Sequence, residues 1–268
     1  MKALLVYRAP QFSPNSVEKD KAILEETGRN LLLQGIDVQY VDEERLMDCL
    51  NMDMILTMGR LPQTQERLAE AEEKGIPVIN SAKALMRSSR GEIDHIMRSN
   101  AIPAPLLWRD GGSPTFPSGY WAKRADIAAQ SKDDVQFAAN EQELDDVLKT
   151  FQVRGVEQVL VTEHVVGDLV KFYGVEGTDF FHWQYASMRH SKFGLEKING
   201  RPRGYDFDVQ HVKHYADKLA SRMGVPVYGG DVIISLGGKL HFIDFNDFPS
   251  FSSCRDMAAK AIAKRITQ

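Results

Sequence analysis

The first hundred residues alternate short apolar runs with longer stretches of helical periodicity, and this alternation restricts the fold more than any other feature of the chain. Apolar runs predict strands at residues 3–7, 36–41, 54–58 and 77–79. Helical patterns at 17–34 and 63–74 lie between them, each followed by a glycine where helices commonly end. Strands that alternate with helices predict a parallel sheet covered by helices. Residues 1–80 are therefore expected to form a small α/β lobe.

This lobe is Rossmann-like in outline but lacks the glycine signature of dinucleotide binding. Its first turn, Tyr7-Arg8-Ala9-Pro10, has no G-x-G-x-x-G pattern, which disfavours a dinucleotide. Arg8 and Arg60 each follow an apolar run, at the strand ends where ligands of open α/β sheets bind. The matching positions predict that both arginines contact a substrate. The alternative for either one is a solvated surface side chain.

The remaining chain is predicted to form a connection and two α+β lobes. Residues 81–118 carry a helix to about Asn100, a proline-rich stop and a linker. Residues 119–166 form a small lobe, with strands at 120–124 and 158–162 around a helix at 141–151 that Asn140 caps. Residues 167–268 form a larger lobe that ends in a hairpin and a helix. Its elements are strands at 169–175, 180–187, 232–236 and 239–245 and helices at 206–223 and 258–266.

Composition excludes several classes of function. The 268 residues carry a formal net charge of -4 without a block of five like charges, which argues against a general electrostatic grip on nucleic acid. The apolar runs are strand-sized, well below the roughly 20 residues that span a bilayer. No signal-peptide pattern follows Met1-Lys2, so we expect a cytoplasmic protein. The two cysteines, Cys49 and Cys254, have neither disulfide-framework nor zinc-site spacing.

Three oxygen-bearing side chains stand out on the final hairpin. Asp244 and Asn246 are two residues apart, so they share one face of a strand. Asp231 begins the partner strand, within cross-strand reach. Two carboxylates and an amide oxygen suit Mg²⁺, which commonly takes one or two carboxylates and completes its shell with phosphates. The alternative is an ordinary polar face of a solvated strand.

Two lysines favour the first interpretation. Lys123 stands alone on an otherwise apolar and aromatic strand, where a charge is costly without a partner such as phosphate. Lys171 lies two residues into the strand that follows Glu163-His164-Val165-Val166-Gly167-Asp168. A strand-to-turn stretch of this type can offer backbone groups to a base while the lysine reaches phosphate oxygens.

Taken together, these segments resemble the ATP-grasp superfamily over nearly the whole chain. The motifs that run in the order of that superfamily are Asn80-Ser81, residues 100–105, Ala122-Lys123, residues 161–167, Gly230-Asp231-Val232-Ile233 and Phe242-Ile243-Asp244-Phe245-Asn246. The resemblance implies an ATP-grasp fold, in which a Rossmann-like N-terminal lobe precedes two α+β lobes that clamp ATP.

The resemblance also assigns roles to individual residues. Lys123 and Lys171 would hold ATP phosphates, Glu163, His164, Val165 and Val166 would line the adenine pocket, and Asp231, Asp244 and Asn246 would bind Mg²⁺. Independently of the resemblance, basic residues are candidates for substrate contact, among them Arg8, Arg60, Arg90, Arg189 and Lys192, and Arg255 joins Lys123 and Lys171 as a candidate catalytic residue. Arginine binds carboxylate and phosphate alike, so these residues indicate a small anionic substrate without naming it.

The chain departs from the superfamily pattern in two places. The loop at residues 125–132, which would cover the phosphates, contains no glycine, and the middle metal ligand is Asp244 where the ligases commonly have glutamate. Residues 169–173 and 243–249 are similar to stretches of inositol trisphosphate 5/6-kinases.

Three functions remain open from the sequence. One is a ligase that activates a carboxylate as an acyl phosphate for attack by an amine or similar nucleophile. The second is a kinase that phosphorylates a polyol or inositol-phosphate-like hydroxyl. The third is a non-catalytic ATP-binding module.

Overall fold

Three β-sheets organise the chain in the computed structural model, which describes residues 1–13, 16–47, 49–109, 115–126, 131–186 and 198–267. Within those ranges, none of the helices combines the length and apolar character needed to cross a bilayer. Mixed α/β and α+β architecture, predicted from the apolar pattern, is confirmed.

The N-terminal sheet is parallel, with strand order β2-β1-β3-β4. Its strands are β1 (Lys2–Tyr7), β2 (Asp37–Asp42), β3 (Met54–Thr57) and β4 (Val78–Ile79). Helices α1 (Val17–Leu33) and α2 (Pro62–Glu73) connect them. Parallel strands have their carboxyl ends at one edge, so Arg8 and Arg60 lie at the same edge of the sheet.

The connection that follows is two helices and not the single predicted one. They are α3 (Ala82–Leu85) and α4 (Arg90–Ser99). Ser88 and Ser89 cause the break, because both side chains bond to the backbone: the Ser88 hydroxyl donates to the Leu85 carbonyl at 2.7 Å, and the Ser89 side chain accepts the Glu92 N–H at 3.2 Å. The cap at Ser89 makes Arg90 the first residue of a new helix.

The small sheet is antiparallel and has the order β6-β5-β7. It contains β5 (Tyr120–Arg124), β6 (Val135–Ala138) and β7 (Val159–Glu163), with α5 (Glu141–Val153) packed against it. The predicted N-cap is present, since the Asn140 side chain accepts the Glu143 N–H at 2.9 Å, while the Glu143 carboxylate accepts the Ala139 N–H at 2.9 Å. β6 was not predicted, because a four-residue run is too short for a clear alternation.

The large sheet is also antiparallel and has the order β11-β10-β8-β9. It contains β8 (Asp168–Val175), β9 (Phe181–Tyr185), β10 (Val227–Ser235) and β11 (Lys239–Asp247). Helix α6 (Val209–Met223) covers one face through a core that includes Phe172, Val232 and Phe242. β10 starts five residues before the predicted strand, so Asp231 lies in its middle.

The last helix, α7 (Arg255–Ile266), follows the large sheet in the chain but packs against the N-terminal lobe. Its buried alanines and Ile262 share a core with Leu5, Ile23 and Leu24 of β1 and α1. This packing ties the end of the chain to its beginning and fixes the N-terminal lobe beside the large sheet.

A buried amide makes a second junction between the N-terminal lobe and the large sheet. Asn80 is fully buried, and its side chain donates to the Val227 carbonyl and accepts the Val227 N–H, both at 2.8 Å. The side chain thereby extends the hydrogen-bond ladder at the start of β10, as a backbone strand would.

We expect Asn80→Ala to lower the free energy of unfolding by about 1–3 kcal/mol, because it leaves the buried Val227 N–H without its partner, while the Val227 carbonyl still accepts the Phe248 N–H at 2.9 Å. Urea unfolding measures the change. The control is Gln152→Ala, at an exposed position of α5, which should change stability by no more than about 0.5 kcal/mol. Equal effects of the two substitutions would contradict this account of the junction.

Candidate nucleotide and metal site

The candidate site lies on the face of the large sheet opposite to α6. Asp231 on β10 pairs in register with Lys171 on β8 and with Asp244 on β11. Residues directly opposite in antiparallel strands point to the same face, so the three side chains form one row across the sheet. Asn246 lies two residues after Asp244 and shares that face. The structure thus brings the predicted metal ligands together with Lys171.

A β-bulge lies beside this row. The register between β10 and β11 shifts after the Asp231–Asp244 pair, and the next pair is Val232 with Phe242. Ile243 is therefore the extra residue of the bulge. In a regular strand, Phe242 and Asp244 would share one face. The bulge lets Phe242 enter the core under α6 while Asp244 remains beside Asp231.

The polar groups of the row already bond to one another. The Lys171 ammonium donates to both Asp231 oxygens, at 3.2 and 3.4 Å, and the Asn246 amide N–H donates to Asp244 Oδ2 at 3.1 Å. The Asp231 and Asp244 side chains retain 22% and 33% of their exposure, so both carboxylates remain accessible from the cleft.

Lys123 approaches the row from the small sheet. It is buried, and its ammonium donates to the Ile243 carbonyl, in the bulge, at 3.1 Å. Burial lowers the pKa of Lys123 to about 8, with a further lowering from the neighbouring Arg90, while Asp244 and Asp231 act in the opposite direction. Lys123 thus lies at the β11 end of the row, and Lys171 lies at its β8 end.

Arg90 lies beside the predicted metal ligand Asp244, although in the sequence it was only one of several basic candidates for substrate contact. Its guanidinium lies 3.9 Å from Asp244 Oδ1 and donates to the Arg124 carbonyl at 3.4 Å. The Gly91 N–H donates to the Ala125 carbonyl at 2.9 Å, which docks the start of α4 on the end of β5. The helix-capping Ser89 directly before Arg90 was the available signal, because a cap fixes the position of the residue that follows it.

The charged side chains around the row carry a net positive charge that favours binding of an anion. Three cationic groups, Lys123, Lys171 and Arg90, surround two carboxylates, Asp231 and Asp244. A phosphate chain needs such an excess of positive charge.

The donor set also fits Mg²⁺, since two carboxylates and the Asn246 amide oxygen are hard oxygen ligands that phosphates would complete. Among the described residues no group of three His, Cys, Asp or Glu side chains could hold a metal by itself.

The segment expected to line the adenine pocket is anchored through its side chains. The Glu163 carboxylate accepts the Leu106 N–H at 2.8 Å. His164 is buried in the small lobe, where its Nδ1 accepts the Trp121 indole N–H at 3.0 Å, and burial lowers its pKa. The Glu163 and His164 N–H groups also donate within the protein, to the Leu106 and Gly119 carbonyls, and the Val166 side chain is exposed. The adenine contact itself remains a prediction.

The linker between α4 and β5 is bonded to both sheets. The Pro103 carbonyl accepts the Phe242 N–H of β11 at 2.8 Å, and the Leu106 carbonyl accepts the Glu163 N–H of β7 at 2.9 Å. Trp108 continues the pairing, since its N–H donates to the Val161 carbonyl at 2.9 Å. The linker therefore holds the two sheets together at one end and defines the cleft between them.

The predicted substrate arginines have different surroundings. Arg8 is buried, and its guanidinium donates to Asp20 and to the Met58 and Phe248 carbonyls. Its hydrogen bonds are therefore made within the protein. Arg60 is 29% exposed and pairs with Asp247 at the end of β11. Arg255 is the first residue of α7, and its buried Nε has no hydrogen-bond partner among the described residues. Arg189, Lys192 and residues 127–130 of the predicted phosphate loop lie outside the described residues.

Known proteins resemble this chain in structure and not in sequence. No protein-family model matches it, and no curated protein matches it. D-alanyl-alanine synthetase A from Vibrio cholerae superposes with a TM-score of 0.66 at 13% identity, covering 100% of this chain and 97% of its own.

Two further solved structures agree with this similarity. A RimK domain ATP-grasp protein from Sphaerobacter thermophilus has a TM-score of 0.65 at 14% identity, over 98% of both chains. D-alanine–D-alanine ligase from Bacillus anthracis, complexed with ATP, has a TM-score of 0.64 at 12% identity, over 99% of this chain and 98% of its own. Such identities establish the fold and not the reaction, and on this basis the chain has the fold of the ATP-grasp superfamily.

Proposed function

We propose that the protein is a Mg-ATP-dependent ligase that activates a small carboxylate as an acyl phosphate for attack by an amine or a similar nucleophile. The observation that carries the proposal is the cross-strand row of Lys171, Asp231 and Asp244, with Lys123 and Arg90 facing it from across the cleft. The row supplies oxygen ligands for a cation and positive charge for phosphates in one place. The ligases among the structural neighbours support this reaction class.

Each residue of the cluster has a distinct part in this proposal. Asp231, Asp244 and Asn246 hold Mg²⁺, which when bound neutralises negative charge on the phosphates. Lys171 now pairs with Asp231. With Asp231 as a ligand of the cation, the Lys171 ammonium would be available to a phosphate oxygen. Lys123 and Arg90 bind the nucleotide phosphates from the other side. Outside this cluster, Arg255, whose buried Nε has no partner among the described residues, is assigned to stabilise charge on the transferred group.

Trapping with hydroxylamine tests the reaction class. The protein is incubated with Mg-ATP, a panel of small carboxylic acids and hydroxylamine, which converts an acyl phosphate into a stable hydroxamate. We expect ADP and hydroxamate in equal amounts with the correct acid. Asp244→Asn should lower the rate about 100-fold, because it removes a charge that is needed to stabilise the transferring group. Asp145→Asn, at an exposed position of α5, serves as the matched control.

Other products would contradict the ligase. A phosphorylated alcohol without hydroxamate identifies the kinase that residues 169–173 and 243–249 suggest. Binding of Mg-ATP without any ADP release identifies an ATP-binding module.

Arg90 should contribute directly to nucleotide affinity. We expect Arg90→Met to weaken Mg-ATP binding by about 10- to 100-fold, as loss of a charge-assisted contact to phosphate does. Isothermal titration calorimetry measures the affinity. Arg87→Met is the control, because Arg87 is exposed three residues earlier. If both variants bind equally well, Arg90 has no part in the site.

Lys123 should make nucleotide binding depend on pH. Its pKa of about 8 means that the ammonium form, which binds phosphate, is lost as the pH rises through that value. Affinity should therefore fall about tenfold from about pH 7 to about pH 9. Lys123→Arg keeps its charge across this range, so its affinity should stay constant. A wild-type affinity that does not change with pH would refute this assignment of the lysine.

A further inference from the structure

A second charge cluster lies where the N-terminal lobe meets the end of β11. Arg60, at the carboxyl edge of the parallel sheet, pairs with Asp247, the last residue of β11. Asp247 directly follows Asn246 of the proposed metal site, so the two Cα atoms are about 3.8 Å apart. The carboxyl edge of an open α/β sheet is also where such lobes bind their ligands.

In the Arg60–Asp247 pair, one donor and one acceptor have no hydrogen-bond partner among the described residues. Arg60 Nε and Asp247 Oδ2 are both buried, and neither has a hydrogen-bond partner among the described residues. The Asp247 side chain is only 8% exposed, and its other nearby cation, Arg8, lies 3.8 Å away and is engaged at 3.1 Å by Asp20. Buried polar atoms are nearly always paired in folded proteins. An unpaired donor beside an unpaired acceptor therefore indicates a ligand that offers both complements.

The net charge around this pair disfavours a simple anion. Two guanidinium groups, Arg8 and Arg60, accompany three carboxylates, Asp20, Asp247 and Glu43. Glu43 is held by the N–H groups of Ala9, Arg60 and Leu61 and fixes the loops that carry the arginines. If an anion drew Arg60 away, the buried Asp247 would keep only Arg8 as a nearby cation, at 3.8 Å and already paired with Asp20. Leaving a buried carboxylate so poorly paired is costly.

We propose that the Arg60–Asp247 pair is a receptor for the two charged groups of a free α-amino acid. Arg60 binds the carboxylate of the substrate and Asp247 binds its ammonium group, so each buried charge keeps an opposite partner when the pair opens. The inference rests on the proposed ligase function and narrows its substrate from an anion to a zwitterion. Arg60, with 29% of its side chain exposed, provides the entry from solvent.

The first test compares amino acids with their blocked derivatives. Glycine, the proteinogenic L-amino acids and their D enantiomers are each tested as the free acid, the N-acetyl acid and the amide. Thermal unfolding with and without Mg-ATP reports binding, and ADP release reports turnover. At least one free amino acid should raise the Tm and release ADP, while its blocked forms bind about 100-fold more weakly, because each leaves a buried charge unpaired.

Substitutions test which group each residue binds. Asp247→Asn should abolish discrimination against the N-acetyl form and retain it against the amide. Arg60→Gln should do the reverse. A merely structural role would not invert the preference in this residue-specific way. Arg222→Gln and Asp145→Asn, both at exposed helical positions, should keep the wild-type preference.

The outcomes separate this inference from the function on which it rests. If Mg-ATP binds but no free amino acid binds or releases ADP, the receptor is refuted and the nucleotide site remains. Equal response to free and blocked forms also refutes it. If a free amino acid binds with the expected preferences while Mg-ATP does not bind, the ligase proposal fails and the receptor stands.

Discussion

The cross-strand register of the large sheet is the constraint on which the site depends. Antiparallel pairing places Lys171, Asp231 and Asp244 side by side, although Lys171 lies 60 residues before Asp231 and the β10–β11 hairpin. The bulge at Ile243 keeps Asp244 in this row while Phe242 enters the core. A shift of one residue on β11 would send Asp244 to the core face and a large apolar side chain to the cleft. The same register therefore stabilises the lobe and assembles its chemistry.

The cleft exists because one linker bonds to both sheets. Pro103 and Leu106 accept N–H groups from β11 and β7, so the sheets are joined along one side and separated along the other. The buried Lys123 spans the gap and donates to the bulge carbonyl of Ile243. The positive charge of Lys123 is costly in that environment: burial lowers the pKa of the lysine, and the neighbouring Arg90 lowers it further. A bound phosphate would relieve that cost by supplying the opposite charge.

Two adjoining clusters have opposite balances of charge. Around Asp231 and Asp244 the cations exceed the carboxylates, whereas around Asp247 the carboxylates exceed the cations. A nucleotide and a second substrate that differ in charge would thus each meet a complementary environment. Asn246 and Asp247 are neighbours on β11 and belong to different clusters, so this strand end connects the two proposed binding sites.

Local patterns in the sequence determined the elements and the chemical types of the site residues. Alternating apolar runs marked the parallel sheet, Asn140 and Glu143 marked the start of α5, and the spacing of Asp244 and Asn246 placed both on one strand face. Apolar periodicity did not show the division of one predicted helix into α3 and α4, which only the local cap at Ser89 signalled. It also did not show the short β6 or the early start of β10, because these depend on pairing with other strands. Only the tertiary structure decided that Arg90 faces Asp244, that Arg8 is held within the protein and that Arg60 pairs with Asp247. Each of these contacts joins residues that the chain separates widely, and charge partners of that kind leave no periodic signal in a sequence.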